Sequence, residues 1–261
     1  MADEITHPAA ALPLPRGVGR DRVILWISLA AITLISWLYL LWMPMSPEDF
    51  GAIGRSLLGT IPSSASDAVL TFLMWTIMMV AMMLPSATPM IDTYARMVGN
   101  RSTAPWRDVA AFTSGYLLVW TFFSVVATAG QILLQKIGLI TGSLTTIPFA
   151  SAILLLSAGI YQITPLKNVC LTGCRSPIGF FMTSWRDGTG GALRMGVQHG
   201  ALCLGCCWFL MALLFLFGAM NLIWVAALSI FVLLEKAIPG GRILAYGSGV
   251  AMIVAGVALL V

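Results

Sequence analysis

Seven apolar blocks alternate with short polar or charged connections along the chain, approximately Val23–Met43, Ala68–Ile91, Val109–Leu134, Leu144–Ile163, Ala192–Phe217, Asn221–Ile238 and Ile243–Val261. Each approaches the ~20 residues that a helix needs to cross a ~30 Å hydrocarbon core. In hydrocarbon, only helices and closed barrels satisfy every backbone polar group. The pattern therefore predicts an all-α, polytopic transmembrane helix bundle of about seven spans. The finest division lies between the fifth and sixth blocks. Ala201 to Leu234 is uninterrupted apolar sequence, about 50 Å as a helix and too long for one crossing. Gly218 and Asn221 supply a turn there.

Composition and charge sharpen this picture. The chain is 59% hydrophobic and 9% charged, with a mean hydropathy of +0.94, whereas soluble domains carry ~25% charged residues. Of its 14 Lys and Arg, twelve fall on one side of a seven-span topology, and only Arg55 and Lys136 fall on the other. Basic loops mark the cytoplasmic side, so the expected orientation is N-terminus cytoplasmic and C-terminus periplasmic. The net charge of +4 then reflects orientation; no basic patch interleaved with aromatics points to nucleic acid. Residues 1–22, rich in Pro, Ala and Arg, are expected to be a disordered cytoplasmic arm. Residues 23–261 are expected to form a single transmembrane helical domain, whose first span shows no small-x-small cleavage site and is expected to stay as an anchor. The longest connections, Pro44 to Asp67 and Thr164 to Gly191, are too short to bury a core of their own.

The candidate chemistry is concentrated in the fifth block, where His199, Cys203, Cys206 and Cys207 replace the usual Leu and Val. At ~100° per residue all four lie on one arc of about 100°. His199 and Cys203 are one turn apart, a spacing that lets two side chains reach one ion. Ala192, Gly196 and Gly200 share the arc as a small-residue ladder, which turns it towards another helix rather than lipid. Each residue alone also reads as packing; four on one arc read as a site. Cys170 and Cys174 lie just after the fourth block, near Lys167, Arg175 and Arg194. A reducing compartment argues for metal binding or transient redox chemistry rather than a structural disulfide.

In the second block Met78 with Met82, and Met79 with Met83, are pairs one turn apart. Thioethers suit Cu(I) and bind hard cations poorly, although methionine also fills gaps in membrane cores. The pairs resemble the methionine rungs of high-affinity copper transporters. Pro85 and Pro89 are expected to kink or break that helix, freeing carbonyls for which Ser86 and Thr88 are candidate partners. Glu235 and Lys236 close the sixth block before Pro239-Gly240-Gly241. They are expected to snorkel to the interface, with Glu235 the candidate proton acceptor or hard ligand. Gly247, Ala251 and Ala255 offer a further close-packing seam.

Three ordered motifs, Met74 to Ser86, Thr164 to Pro177, and Gly196 to Trp208 followed by Glu235-Lys236, resemble the bacterial family of predicted metal-binding integral membrane proteins. That resemblance implies metal binding in a multi-pass inner-membrane protein without naming the metal or a reaction. Together the residues point to soft-metal handling, with Cu(I) foremost and Zn or Hg as variants. The vicinal Cys206-Cys207 pair resembles that of mercuric transporters. Expected partners are the lipid bilayer, the metal ion, and a metallochaperone or partner membrane subunit, with oligomers open. A membrane thiol oxidoreductase, or a non-catalytic subunit assembling a metal site elsewhere, are the alternatives. No nucleotide loop or hydrolase triad is visible.

Overall fold

The computed structural model describes residues 17–42, 65–99, 101–139, 148–217 and 221–260. These fold as α1 Gly17–Trp42, α2 Ala65–Val98, α3 Pro105–Lys136, α4 Pro148–Gln162, α5 Pro165–Arg175, α6 Pro177–Ser184, α7 Gly188–Ala212, α8 Leu214–Phe217, α9 Leu222–Ala237 and α10 Gly241–Ala258. The all-α architecture expected from the hydrophobic pattern is observed. Five stretches are long and apolar enough to cross a membrane, and the α4–α5 pair, bent by 63°, makes a sixth if it counts as one span. The sixth expected span is α9, whose 16 residues reach only ~24 Å. Its limits are local. Asn221 Oδ1 accepts from the Ile223 amide at 3.2 Å and caps its start, and Ile238, extended before Pro239, ends it. Large apolar side chains such as Ile35, Phe122, Ile223 and Ile243 are exposed around the outside, as lipid-facing residues are.

Two connections differ from expectation. Helix α1 begins at Gly17, so the last part of the expected arm is helical; residues 1–16 lie outside the described residues. Arg22 bonds Asp92 of α2 through Nε at 3.1 Å and Nη2 at 3.3 Å. Trp26 Nε1 donates to the same carboxylate at 3.2 Å, tying α1 to α2. The segment after α4 is not an open loop. Thr164 Oγ1 accepts from the Lys167 amide at 3.3 Å and Pro165 occupies the first helical position, a start signal for α5. Helix α5 then packs back on α7.

The bundle centres on α3 against α7, where the backbones nearly touch. A Cβ built on Gly196 would stand 2.0 Å from Phe112 O, and one on Gly115 would stand 2.3 Å from Leu193 O. The ladder of Ala192, Gly196 and Gly200 thus performs the expected role. The seam on α10 is shifted: Gly247 has open space around it, whereas a Cβ built on Gly249 would stand 2.9 Å from Gly159 O of α4 and one on Gly256 would stand 2.8 Å from Leu156 Cγ. Gly247, Ala251 and Ala255 face outward.

Helix α2 runs unbroken through Pro85 and Pro89, against the expected break, and side chains bond several carbonyls of that stretch. Pro85 removes the amide that would serve Ala81 O, and Trp37 Nε1 of α1 donates there at 3.1 Å. Met82 O accepts from Ser229 Oγ at 3.4 Å and Met83 O from Tyr116 Oη at 3.0 Å. Ser86 Oγ donates to Met83 O at 2.8 Å and Thr88 Oγ1 to Leu84 O at 3.1 Å. Trp37→Phe keeps the ring and removes the donor, so a loss of about 1–3 kcal/mol is expected. Thermal unfolding of the detergent-solubilised chain measures it; an unchanged midpoint would show that Ala81 O needs no such partner.

Candidate metal centre

Helix α7 presents its expected arc inward: His199, Cys203, Cys206 and Cys207 are all at most 2% exposed. All five cysteines are free thiols. Cys206 Sγ and Cys207 Sγ donate back to Cys203 O at 3.0 and 2.9 Å, which holds both side chains along the helix. From α2, Met83 Sδ lies 4.0 Å from Cys207 Sγ. Two sulfurs each ~2.3 Å from one ion, the Zn–thiolate length, stand at most ~4.6 Å apart, so this pair is already at a shareable separation. Met78, Met79 and Met82 are buried on the same helix. Met82 meets α9 through its carbonyl, which accepts from Ser229 Oγ.

Cys203 is the most heavily contacted thiol. Tyr116 Oη of α3 is 3.2 Å from its sulfur, and Lys236 Nζ of α9 donates to that sulfur at 2.9 Å and to Ser86 Oγ at 2.9 Å. Lys236 therefore turns into the bundle and does not snorkel. Glu235 also turns inward, to a different partner: Lys167 Nζ donates to both carboxylate oxygens at 2.8 Å, and Gln162 Nε2 adds a bond of 3.0 Å. Both oxygens of Glu235, the hard ligand or proton acceptor suggested by the sequence, are thus engaged by Lys167. Lys167, whose position matched a charged loop, is fully buried.

From α5, Cys174 faces Cys203 and Cys206, and Cys170 Sγ fills the notch over Gly205, where a Cβ would come within 2.8 Å of it. His199 sits in an aromatic box. Its ring stacks on Tyr116 at 5.4 Å and Phe112 at 6.2 Å, with Phe180 edge-on at 5.8 Å. Its Nδ1 has no hydrogen-bond partner among the described residues. Among those residues, no three His, Cys, Asp or Glu side chains already converge to hold an ion; the close donor pair combines a thiol with a thioether.

Tyr116 and the inward turn of Lys236 are the site features that sequence reasoning missed. A hydroxyl in the middle of an apolar span was the available signal for Tyr116. For Lys236 the signal was the register of α9, which places Val225, Leu228, Ser229, Val232 and Glu235 on its buried face and Lys236 at that face's edge.

The arrangement suits a soft cation of low coordination number, held by sulfur and shielded from water. A family model described as "PpoB2: Copper chaperone" matches residues 72–259. No curated protein and no solved structure matches the chain.

Proposed function

The chain belongs to the PpoB2 copper chaperone family, and from that premise we propose that it carries Cu(I) inside the helix bundle, with Cys207, Cys203 and Met83 as principal ligands. Copper is the cargo of this reading. The observation that carries it is the 4.0 Å approach of Cys207 Sγ to Met83 Sδ, with Cys203 one turn away on the same helix. The carboxylate of Glu235 is held by Lys167. Soft donors remain.

The buried methionines Met78, Met79 and Met82 lead along α2 to this point as neutral stations. Cys206, with Cys174 and Cys170 on α5, continues the sulfur path on the other side. His199 adds a nitrogen donor one turn from Cys203. In the orientation expected from the basic residues, α5 lies towards the cytoplasm of the bacterial inner membrane, so Cys170 and Cys174 would exchange copper with a metallochaperone or partner subunit there. Transfer between thioether and thiolate costs little when each station offers two or three ligands.

Full-length protein purified in detergent is expected to bind copper, with a sulfur-dominated shell by X-ray absorption. Cys207→Ser combined with Met83→Leu is expected to weaken Cu(I) binding by about a hundredfold, equivalent to ~2.7 kcal/mol, while helix content stays unchanged. An intact protein that binds no copper, or binds it through oxygen and nitrogen alone, would overturn this reading.

A further inference from the structure

Two lysines and one glutamate stand close to the thiols. Glu235 and Lys236 are adjacent in sequence, yet they are not each other's partners. Glu235 is neutralised by Lys167, with both carboxylate oxygens 2.8 Å from the ammonium. Among the described residues Lys236 has no such carboxylate: its contacts are Ser86 Oγ and Cys203 Sγ, each at 2.9 Å. Among the groups that meet Cys203 Sγ, Tyr116 brings a neutral hydroxyl and Lys236 a cation. The donor set therefore includes a fixed positive charge at the sulfur itself.

That charge discriminates between ions. A thiol binds metal as a thiolate, so Cys203 and Cys207 each give up a proton to water as their metal–sulfur bonds form, and no electron moves. Met83 contributes a neutral thioether. Two thiolates, one ammonium and one monovalent ion then sum to zero. The same donors around a divalent ion leave one uncompensated positive charge in a poorly solvated interior, where unpaired charge is strongly unfavourable. We infer that Lys236 is a specificity-determining residue that makes this site select a monovalent soft cation over a divalent one of comparable softness. The inference rests on the proposed sulfur site and says which cargo that site admits.

Ag(I) and Cd(II) separate charge from redox chemistry, because both favour sulfur and neither changes oxidation state under these conditions. Purified full-length protein in detergent is offered both ions in equal amounts, and the bound ratio is read by mass spectrometry. Lys236→Met is expected to lower the Ag-to-Cd ratio by about a hundredfold to a thousandfold, the order expected for one unit charge about 4–6 Å away at an effective dielectric of about 20. Lys236→Arg, which keeps the charge, is expected to retain most of the preference. Ser86→Asp leaves the lysine in place but sets a carboxylate against it, and is expected to lower the ratio in the same direction even if Lys236→Met fails to fold. A folded Lys236→Met or Ser86→Asp protein with the ratio of the unaltered chain would overturn the inference. An unaltered chain that binds neither ion would instead sink the sulfur site on which it rests.

Discussion

Glu235→Ala is expected to destabilise the bundle by about 3–5 kcal/mol, because it leaves the buried Lys167 ammonium without its countercharge. Lys167 and Glu235 are 0% and 1% exposed, so water cannot replace the lost partner. Gln162 cannot replace it either. Its Oε1 already accepts from Lys167 Nζ, and its Nε2 donates to Glu235 Oε1 and, at 2.8 Å, to Ser248 Oγ. One substitution therefore loosens α4, α5, α9 and α10 together. Denaturant or SDS titration of the detergent-solubilised chain measures the loss. Lys167→Met with Glu235→Leu removes both charges and is expected to recover most of it, since an apolar pair of similar volume is often no worse than a buried ion pair. A double variant as unstable as the single one would show that the hydrogen bonds to Gln162 matter more than the charge.

Gly196→Ala is the second large effect. Its methyl group would need the space of Phe112 O, 2.0 Å away, with Phe112 Cα only 3.1 Å away. The obstruction is backbone, so no rotamer change relieves it and α3 must move off α7. Overpacking typically costs about 1–3 kcal/mol, and the upper end is expected here. The functional loss should be greater than stability alone predicts, because Tyr116 on α3 contacts Cys203 on α7 at 3.2 Å and separates from it as the helices part. Copper stoichiometry and thermal unfolding together check this. Gly247→Ala, placed in open space, is the control and should leave both unchanged.

Much of the fold was legible because apolar helices advertise themselves through composition. The inward arc of His199, Cys203, Cys206 and Cys207, and the ladder at Ala192, Gly196 and Gly200, followed from helical periodicity alone. The errors share a physical origin. Lys167 and Lys236 fit a rule that places basic residues at membrane boundaries, and hydropathy cannot tell a lysine reaching water from one reaching a buried partner. The start of α5 was written in Thr164-Pro165, yet its flanking charges resembled a loop. On α10 the sequence carries two small-residue stripes, and only the position of α4 selects Gly249 and Gly256 over Gly247. Pro85 marks a defect in α2 correctly, but its remedy, Trp37 on α1, lies 44 residues upstream of the carbonyl it serves.

Successive residues on a helix diverge by ~100°, so the last turn of α9 ends in two prongs pointing different ways. One prong locks into the elbow between α4 and α5 through Lys167, and the other touches Cys203. A small roll of α9 would withdraw both at once. The elbow contact and the Cys203 contact are therefore carried by one rigid turn, and a displacement felt at either is transmitted to the other.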